Sequence, residues 1–202
     1  MATNTERKCG GPDRLTARDR LLAAAGRRFY QDGIASTGVD KITAEAGVAK
    51  MSLYNNFSSK ADLVRAYLEA RHDEWLSLYR SRLQRAQAPA DRVLAVFDAY
   101  LDHAAVTARE GFRGCGLLNA SGELASGDPG RAAVQRHKQE VEDILFGHLV
   151  EDVLPGQTER ARAVSEHLSF VLEGAVARAG LDEDANLLNH ARRIAVEILE
   201  NL

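Results

Sequence analysis

Apolar residues recur along this chain at intervals of three and four. Leu15, Leu22, Ala25 and Phe29 make one such stripe, and long Ala/Leu/Arg/Glu segments carry the pattern beyond residue 60. That spacing is the signature of helices burying one face. The strict alternation of a half-buried strand does not occur, so the chain is expected to be all-α. Gly33, Gly47, Pro89, the Gly-rich stretch at 111–116, the Gly-Asp-Pro-Gly run at 127–130 and Pro155-Gly156 interrupt the pattern. These breaks predict helices over 16–30, 39–46, 50–56 and 60–86. A fifth is predicted over 89–110, a short sixth within 111–124, and three more over 129–153, 158–179 and 184–201. Ser36, Thr37 or Gly38 can cap the second helix, and Ser58 or Ser59 the fourth. Residues 1–13 read as a polar, Gly-rich arm. The clearest boundary lies near residue 60, dividing 1–60 from 61–202.

The run TGVDKITAEAGVAKMSLYNNFSSKADL, residues 37–63, is the most informative part of the chain. Ile42, Ala46, Val48, Leu53 and Phe57 supply the apolar positions of a small packed unit, two short helices around a tight turn. Gly47 gives that turn a backbone conformation other residues resist. Between Lys50 and Lys60 there is no acidic residue, whereas a solvated helix usually mixes both signs. Lys50, Met51, Ser52, Tyr54 and Asn55 are expected on the exposed face, where short polar, basic and aromatic groups suit phosphates and base edges. Lys60 begins the fourth helix, where free N–H groups and its own charge favour a phosphate. Thr37 and Thr43 can donate to phosphates from the second helix. The reading is a helix-turn-helix that binds double-stranded DNA.

The run GVAKMSLYNNFSSKADL resembles the recognition-helix signature of TetR/AcrR-family transcriptional regulators, with Leu53-Tyr54, Phe57 and Ser59-Lys60 at the characteristic places. Upstream, Phe29-Tyr30, Gly33 and the VDKITAEAG segment are similar to the family as well. The likeness is close over 16–63 and is one of kind beyond it. Met51 departs from the pattern, standing where a small residue is common. The resemblance implies a three-helix DNA-binding domain joined by a long fourth helix to a helical ligand-binding and dimerisation domain. It further implies a one-component repressor, a homodimer held by its last two helices, and a small-molecule effector that displaces the reading heads.

Charge agrees with this arrangement. The net charge of −3 divides into +4 over residues 1–60 and −7 over 61–202, a basic end on an acidic body. In that body, aromatics at helical spacing are ordinary core, while polar groups on apolar stripes are more telling. Trp75, Tyr100, His103, Cys115, Asn119, Glu123, His167, Phe170 and Glu173 are the candidates for an effector pocket. Val171, Ala175, Leu187, Leu188, Ala191, Ile194 and Ile198 form apolar stripes suited to a dimer interface.

Other chemistry is thinly represented. Cys9 and Cys115 make no disulfide framework, which fits a reduced, cytoplasmic protein, on the nucleoid when bound to DNA. Cys115 follows Arg113 and opens a helix, so it is a candidate thiol sensor of oxidants or electrophiles. As a nucleophile with His103 or His167 as base it would make an enzyme, but no hydrolase, P-loop, metalloprotease or dinucleotide motif accompanies it. The six histidines have no i, i+4 pairing and there is no Cys/His cluster at zinc spacing, so neither metal nor cofactor is expected. No apolar run approaches the ~18 residues of a membrane span.

Overall fold

A computed structural model describes residues 15–107 and 111–202. The N-terminal arm with Cys9, and the predicted end of the fifth helix at Glu110, lie outside the described residues. Among the described residues there are nine α-helices and no strand: α1 (Ala17–Asp32), α2 (Val39–Ala46), α3 (Lys50–Asn56), α4 (Lys60–Leu83), α5 (Pro89–Thr107), α6 (Gly116–Glu123), α7 (Pro129–His148), α8 (Thr158–Asp182) and α9 (Asn186–Glu200).

Helix α1 opens on a capping box. The Thr16 hydroxyl accepts from the Asp19 N–H at 3.1 Å, and the Asp19 carboxylate accepts from the Thr16 N–H at 3.1 Å. Its buried stripe is Leu21, Ala24, Ala25, Phe29 and Tyr30. The expected stripe was partly out of register: Leu15 is exposed and Leu22 only half-buried. The run Leu21-Leu22-Ala23-Ala24-Ala25 offers two apolar faces, and packing against α2 and α4 selects between them. Gly47 sits in the left-handed region (φ 62°) at the end of α2, and the chain turns there into α3. Ile42, Leu53 and Phe57 then close the three-helix head over α1.

Ser59 caps α4, its hydroxyl accepting from the Asp62 N–H at 3.1 Å. From there α4 runs 24 residues without a break, about 36 Å at 1.5 Å per residue. Its first turns bury Leu63, Val64 and Tyr67, the last edge-on to Phe29 of α1; its later turns bury Trp75 and Tyr79 in the body. In the body α5 is central, packed against α4, α7 and α9, while α8 joins α7 to α9. The helix predicted over 129–153 changes character at His148: Leu149–Val153 is a π-helical turn, closed by the Leu154 N–H on the Leu149 carbonyl at 2.7 Å. The wider turn buries both Leu149 and Leu154.

Two features of the core have measurable consequences. Gly180 of α8 lies against the 113–114 backbone, where an added Cβ would stand 2.7 Å from the Arg113 carbonyl oxygen. Backbone cannot yield as a flexible side chain can. Gly180→Ala is expected to destabilise the protein by about 1–3 kcal/mol in chemical denaturation. The second feature is His137 of α7, buried edge-on to Trp75 (5.4 Å between rings) with Nδ1 2.9 Å from His72 Nδ1. Burial, reinforced by Lys138, His72 and His103, pushes its pKa down to about 3. A histidine neutral in the folded state but ionising near 6.5 when unfolded contributes stability above 6.5 and loses it as pH falls toward 3. Thermal midpoints measured from pH 7 to pH 4 should therefore fall, and His137→Gln should flatten the slope; equal slopes would exclude His137 as the cause.

Candidate nucleic-acid interface and body interior

The outward face of α3 carries Lys50, Met51, Tyr54 and Asn55, all exposed, with Ser52 half-buried beside them. Leu53 and Phe57 point into the head and fix the helix. No acidic residue stands in α3. Lys50 meets Asp40 of α2 at 2.8 Å, and that hydrogen bond, with Asp40's charge, raises its pKa. Both partners are well exposed, so the pair is weak and its lysine readily exchanges toward a phosphate.

Three expected contacts lie elsewhere. Thr37 is fully buried, its hydroxyl donating to the Gly33 carbonyl at 2.6 Å. Thr43 is also buried and donates to the Asp40 carbonyl at 3.2 Å. Both hydroxyls satisfy local backbone carbonyls, a competing use that short hydroxyl side chains often take, and neither faces outward. Lys60 does begin α4, but its ammonium turns back onto the Ile34 carbonyl at 2.5 Å.

The body residues divide into three groups. Tyr100, Cys115 and Glu173 converge on Lys138 of α7, whose Nζ donates to Glu173 Oε1 at 2.7 Å and lies 3.4 Å from the Tyr100 hydroxyl and 3.7 Å from Cys115 Sγ. Burial opposes the ammonium charge, but the sulfur, phenol and carboxylate around it outweigh burial and raise its pKa. Burial likewise pushes the Tyr100 phenol up. Trp75 stacks on Tyr79 at 5.6 Å and tilts against Tyr100. His103 lies 3.8 Å from Glu74, and burial lowers its pKa despite that carboxylate.

The second group is tied to the backbone of other segments. Glu123, at the end of α6, accepts from the Ile34 and Ala35 N–H groups at 2.9 and 2.8 Å, joining the body to the turn between α1 and α2. Asn119 is exposed and donates to the Arg113 carbonyl at 2.7 Å. Arg113 turns away from Cys115 and donates to the Tyr30 carbonyl at 3.0 Å and to that of Gln31. Its guanidinium therefore stands away from the thiol. Glu123 is committed to the turn after α1, while Asn119 and Cys115 line a cleft of about 260 Å³ against the end of α8.

The third group faces outward. His167 and Phe170 are exposed on α8, Phe170 by 69%. Neither lines an interior pocket. Phe170 instead joins half-buried Val171, Ala175, Leu187 and Ile194 on an open apolar surface made by α8 and α9. Half-buried Ile198 packs against the chain's own core, while Leu188 and Ala191 are each 2% exposed and belong to that core. An amphipathic helix lying on a body has two apolar flanks, and a sequence stripe does not say which one the body covers.

Lys138 escaped the sequence reading, although a signal was present: it interrupts the stripe Val134, Val141, Leu145 at helical spacing. Arg71 interrupts the stripe Tyr67, Trp75, Tyr79 in the same way. Among the described residues, no group of three or more His, Cys, Asp or Glu side chains is placed to hold a metal ion, and no helix is long and apolar enough to cross a membrane.

Known proteins resemble this architecture over its length. Residues 21–67 match the family model described as bacterial regulatory proteins, tetR family. The transcriptional regulator AcuR of Cereibacter sphaeroides is 33% identical over 186 residues, 86% of this chain and 80% of AcuR. The transcriptional activator FasR of Mycolicibacterium smegmatis is 36% identical over 85 residues, but these span only 42% of this chain and 39% of FasR. Among solved structures, SCO4454, a TetR-family transcriptional regulator from Streptomyces coelicolor, superposes with a TM-score of 0.80 at 34% identity, covering 92% of this chain and 95% of SCO4454. With the acid-free face of α3 set on a three-helix head and a likeness that extends through the body, this chain belongs to the TetR family of transcriptional regulators.

Proposed function

We propose that this protein is a one-component repressor that binds a palindromic operator as a homodimer and is released by a small molecule bound in its C-terminal domain. The observation that carries the reading is the outward face of α3, free of acids and set by Leu53 and Phe57 on a rigid head. Lys50, Tyr54 and Asn55 serve as its polar contacts with DNA, Met51 and Ser52 flanking them. The partners are duplex DNA, a second copy of the chain and an effector. No membrane is involved, and the site of action is the cytoplasm, at the nucleoid when DNA is bound.

The open apolar surface of α8 and α9 supports the dimer: Phe170, 69% exposed, stands there beside Val171, Ala175, Leu187 and Ile194. In a two-fold dimer, two copies of α3 must stand about 34–36 Å apart to enter successive major grooves. Helix α4 links that spacing to the body because it packs in both. The Glu123 clamp on Ile34 and Ala35 is a second link, through α6. An effector that shifts either one vacates the operator, which is the repressor sense. FasR is an activator, and a reporter driven from the selected site separates the two senses.

The test begins with operator selection from random DNA, which should enrich a palindrome. Lys50→Ala and Tyr54→Ala should each lower affinity for it about tenfold or more, on the scale of one lost specific contact. Native mass spectrometry should still give two chains. Affinity should also fall steeply with salt as counterions are released. Unchanged affinity in both variants, or a mass of one chain in the wild type, would sink the proposal. For the coupling, hydrogen exchange on Glu123→Ala should show the Ile34 and Ala35 amides exchanging several-fold faster; unaltered protection would remove α6 as a link.

A further inference from the structure

Among the described residues of the head, the most exposed large apolar side chain is Met51, at 68%, in the first turn of α3. Its direction follows from helix geometry. Successive residues turn by about 100°, at 3.6 per turn. Leu53 is fully buried and marks the inward direction. Met51 and Asn55 stand two positions before and two positions after it, so each points about 160° away from it. Lys50 and Tyr54 stand nearer the flank, about 60° and 100° from Leu53. Lys50 is also drawn aside by Asp40 of α2, at 2.8 Å. Met51 flanks the polar contacts in sequence, yet with Asn55 it forms the crest of the outward face.

A single exposed apolar residue on an ordinary surface carries no message. This one stands in the first turn of the helix whose N-terminal residues meet base edges in helix-turn-helix proteins. A thioether donates no hydrogen bond and accepts only weakly, so Met51 has little to offer a phosphate. What it brings is apolar area on a long, unbranched, adaptable side chain. The major-groove edge of duplex DNA displays polar groups at every base and one apolar group, the C5-methyl of thymine. Against a guanine or cytosine edge the same side chain would strip water from polar atoms and return no hydrogen bond. We propose that Met51 reads the C5-methyl of one thymine in each operator half-site, beside the base that Asn55 hydrogen-bonds. The small residue common at this position in similar regulators is too short for such a contact, so the preference belongs to this chain. This contact rests on the regulator reading of α3 and adds to it one base that the operator must contain.

The experiment uses the full-length protein and the operator enriched from random DNA. Each thymine of one half-site is replaced in turn by deoxyuridine, which removes the methyl and leaves base pairing and every hydrogen-bonding group in place. Affinities are compared at one fixed salt concentration. At one thymine the replacement should weaken wild-type binding about fourfold, the worth of one buried methyl. Met51→Ala should bind the unmodified operator more weakly by about the same factor per half-site and be indifferent to deoxyuridine at that position. Because Met51 is exposed, the variant should keep the wild-type thermal midpoint. Lys50→Ala, weaker overall, should retain the fourfold loss at the same thymine. Wild-type protein indifferent to deoxyuridine at every position, or Met51→Ala still losing affinity at the sensitive thymine, overturns the methyl contact and leaves the regulator reading standing. Random DNA from which no sequence is enriched overturns the regulator reading, and the methyl contact with it.

Discussion

The structure depends on one helix being buried in two places. Helix α4 contributes Leu63, Val64 and Tyr67 to the packing against α1, and Trp75 and Tyr79 to the body. A helix of ordinary hydrogen bonding cannot bend sharply without a proline, a glycine or an inserted group, and α4 has neither proline nor glycine. The orientation of the head is therefore transmitted along a stiff rod. Ser59 fixes where that rod begins, and Lys60, bonded to the Ile34 carbonyl, ties its first turn to the end of α1.

Charged groups carry part of the arrangement around that rod. Arg82 of α4 reaches Asp102 of α5, Arg192 of α9 reaches Asp98 of α5 at 2.6 Å, and Lys138 of α7 reaches Glu173 of α8 at 2.7 Å. The first two are only partly buried, so they orient helices more than they stabilise them. Lys138 and Glu173 are also partly exposed, but Lys138 has the Tyr100 hydroxyl and Cys115 Sγ beside it as well, so removing Glu173 would take away the one carboxylate that pairs with its ammonium. Aromatic rings and the Lys138–Glu173 pair occupy much of the body interior, while two hollows of about 400 and 430 Å³ lie where the head meets the body. A regulator has reason to keep its softest packing at that joint, since motion is least costly where fewest contacts must break.

Much of this was legible along the chain. Helical periodicity and Gly/Pro punctuation give the nine helices with modest errors at their ends, because capping and turn chemistry are local. The α3 face was legible for the same reason: seven residues with no acid and two inward apolar anchors need no partner to be recognised. Thr37 and Thr43 show the limit. Their hydroxyls suit a phosphate as well as a backbone carbonyl, and only the position of Gly33 and Asp40 in space decides between them.

What the sequence determined by itself is therefore the helical class, the order of the helices and the acid-free face of α3, all set by interactions within a few positions of each other. What the tertiary structure decided is which flank of each amphipathic helix is covered. It turned Leu15 outward and Leu21 inward, put Leu188 in the core and Phe170 on the surface, and gave Glu123 to the turn after α1. It also set the Tyr67, Arg71 and Glu74 face of α4 opposite Leu22, Ala23 and Gly26 of α1 across a hollow. Apolar burial has no direction of its own, so an element's pattern fixes that it must be covered, and only its neighbours fix by what.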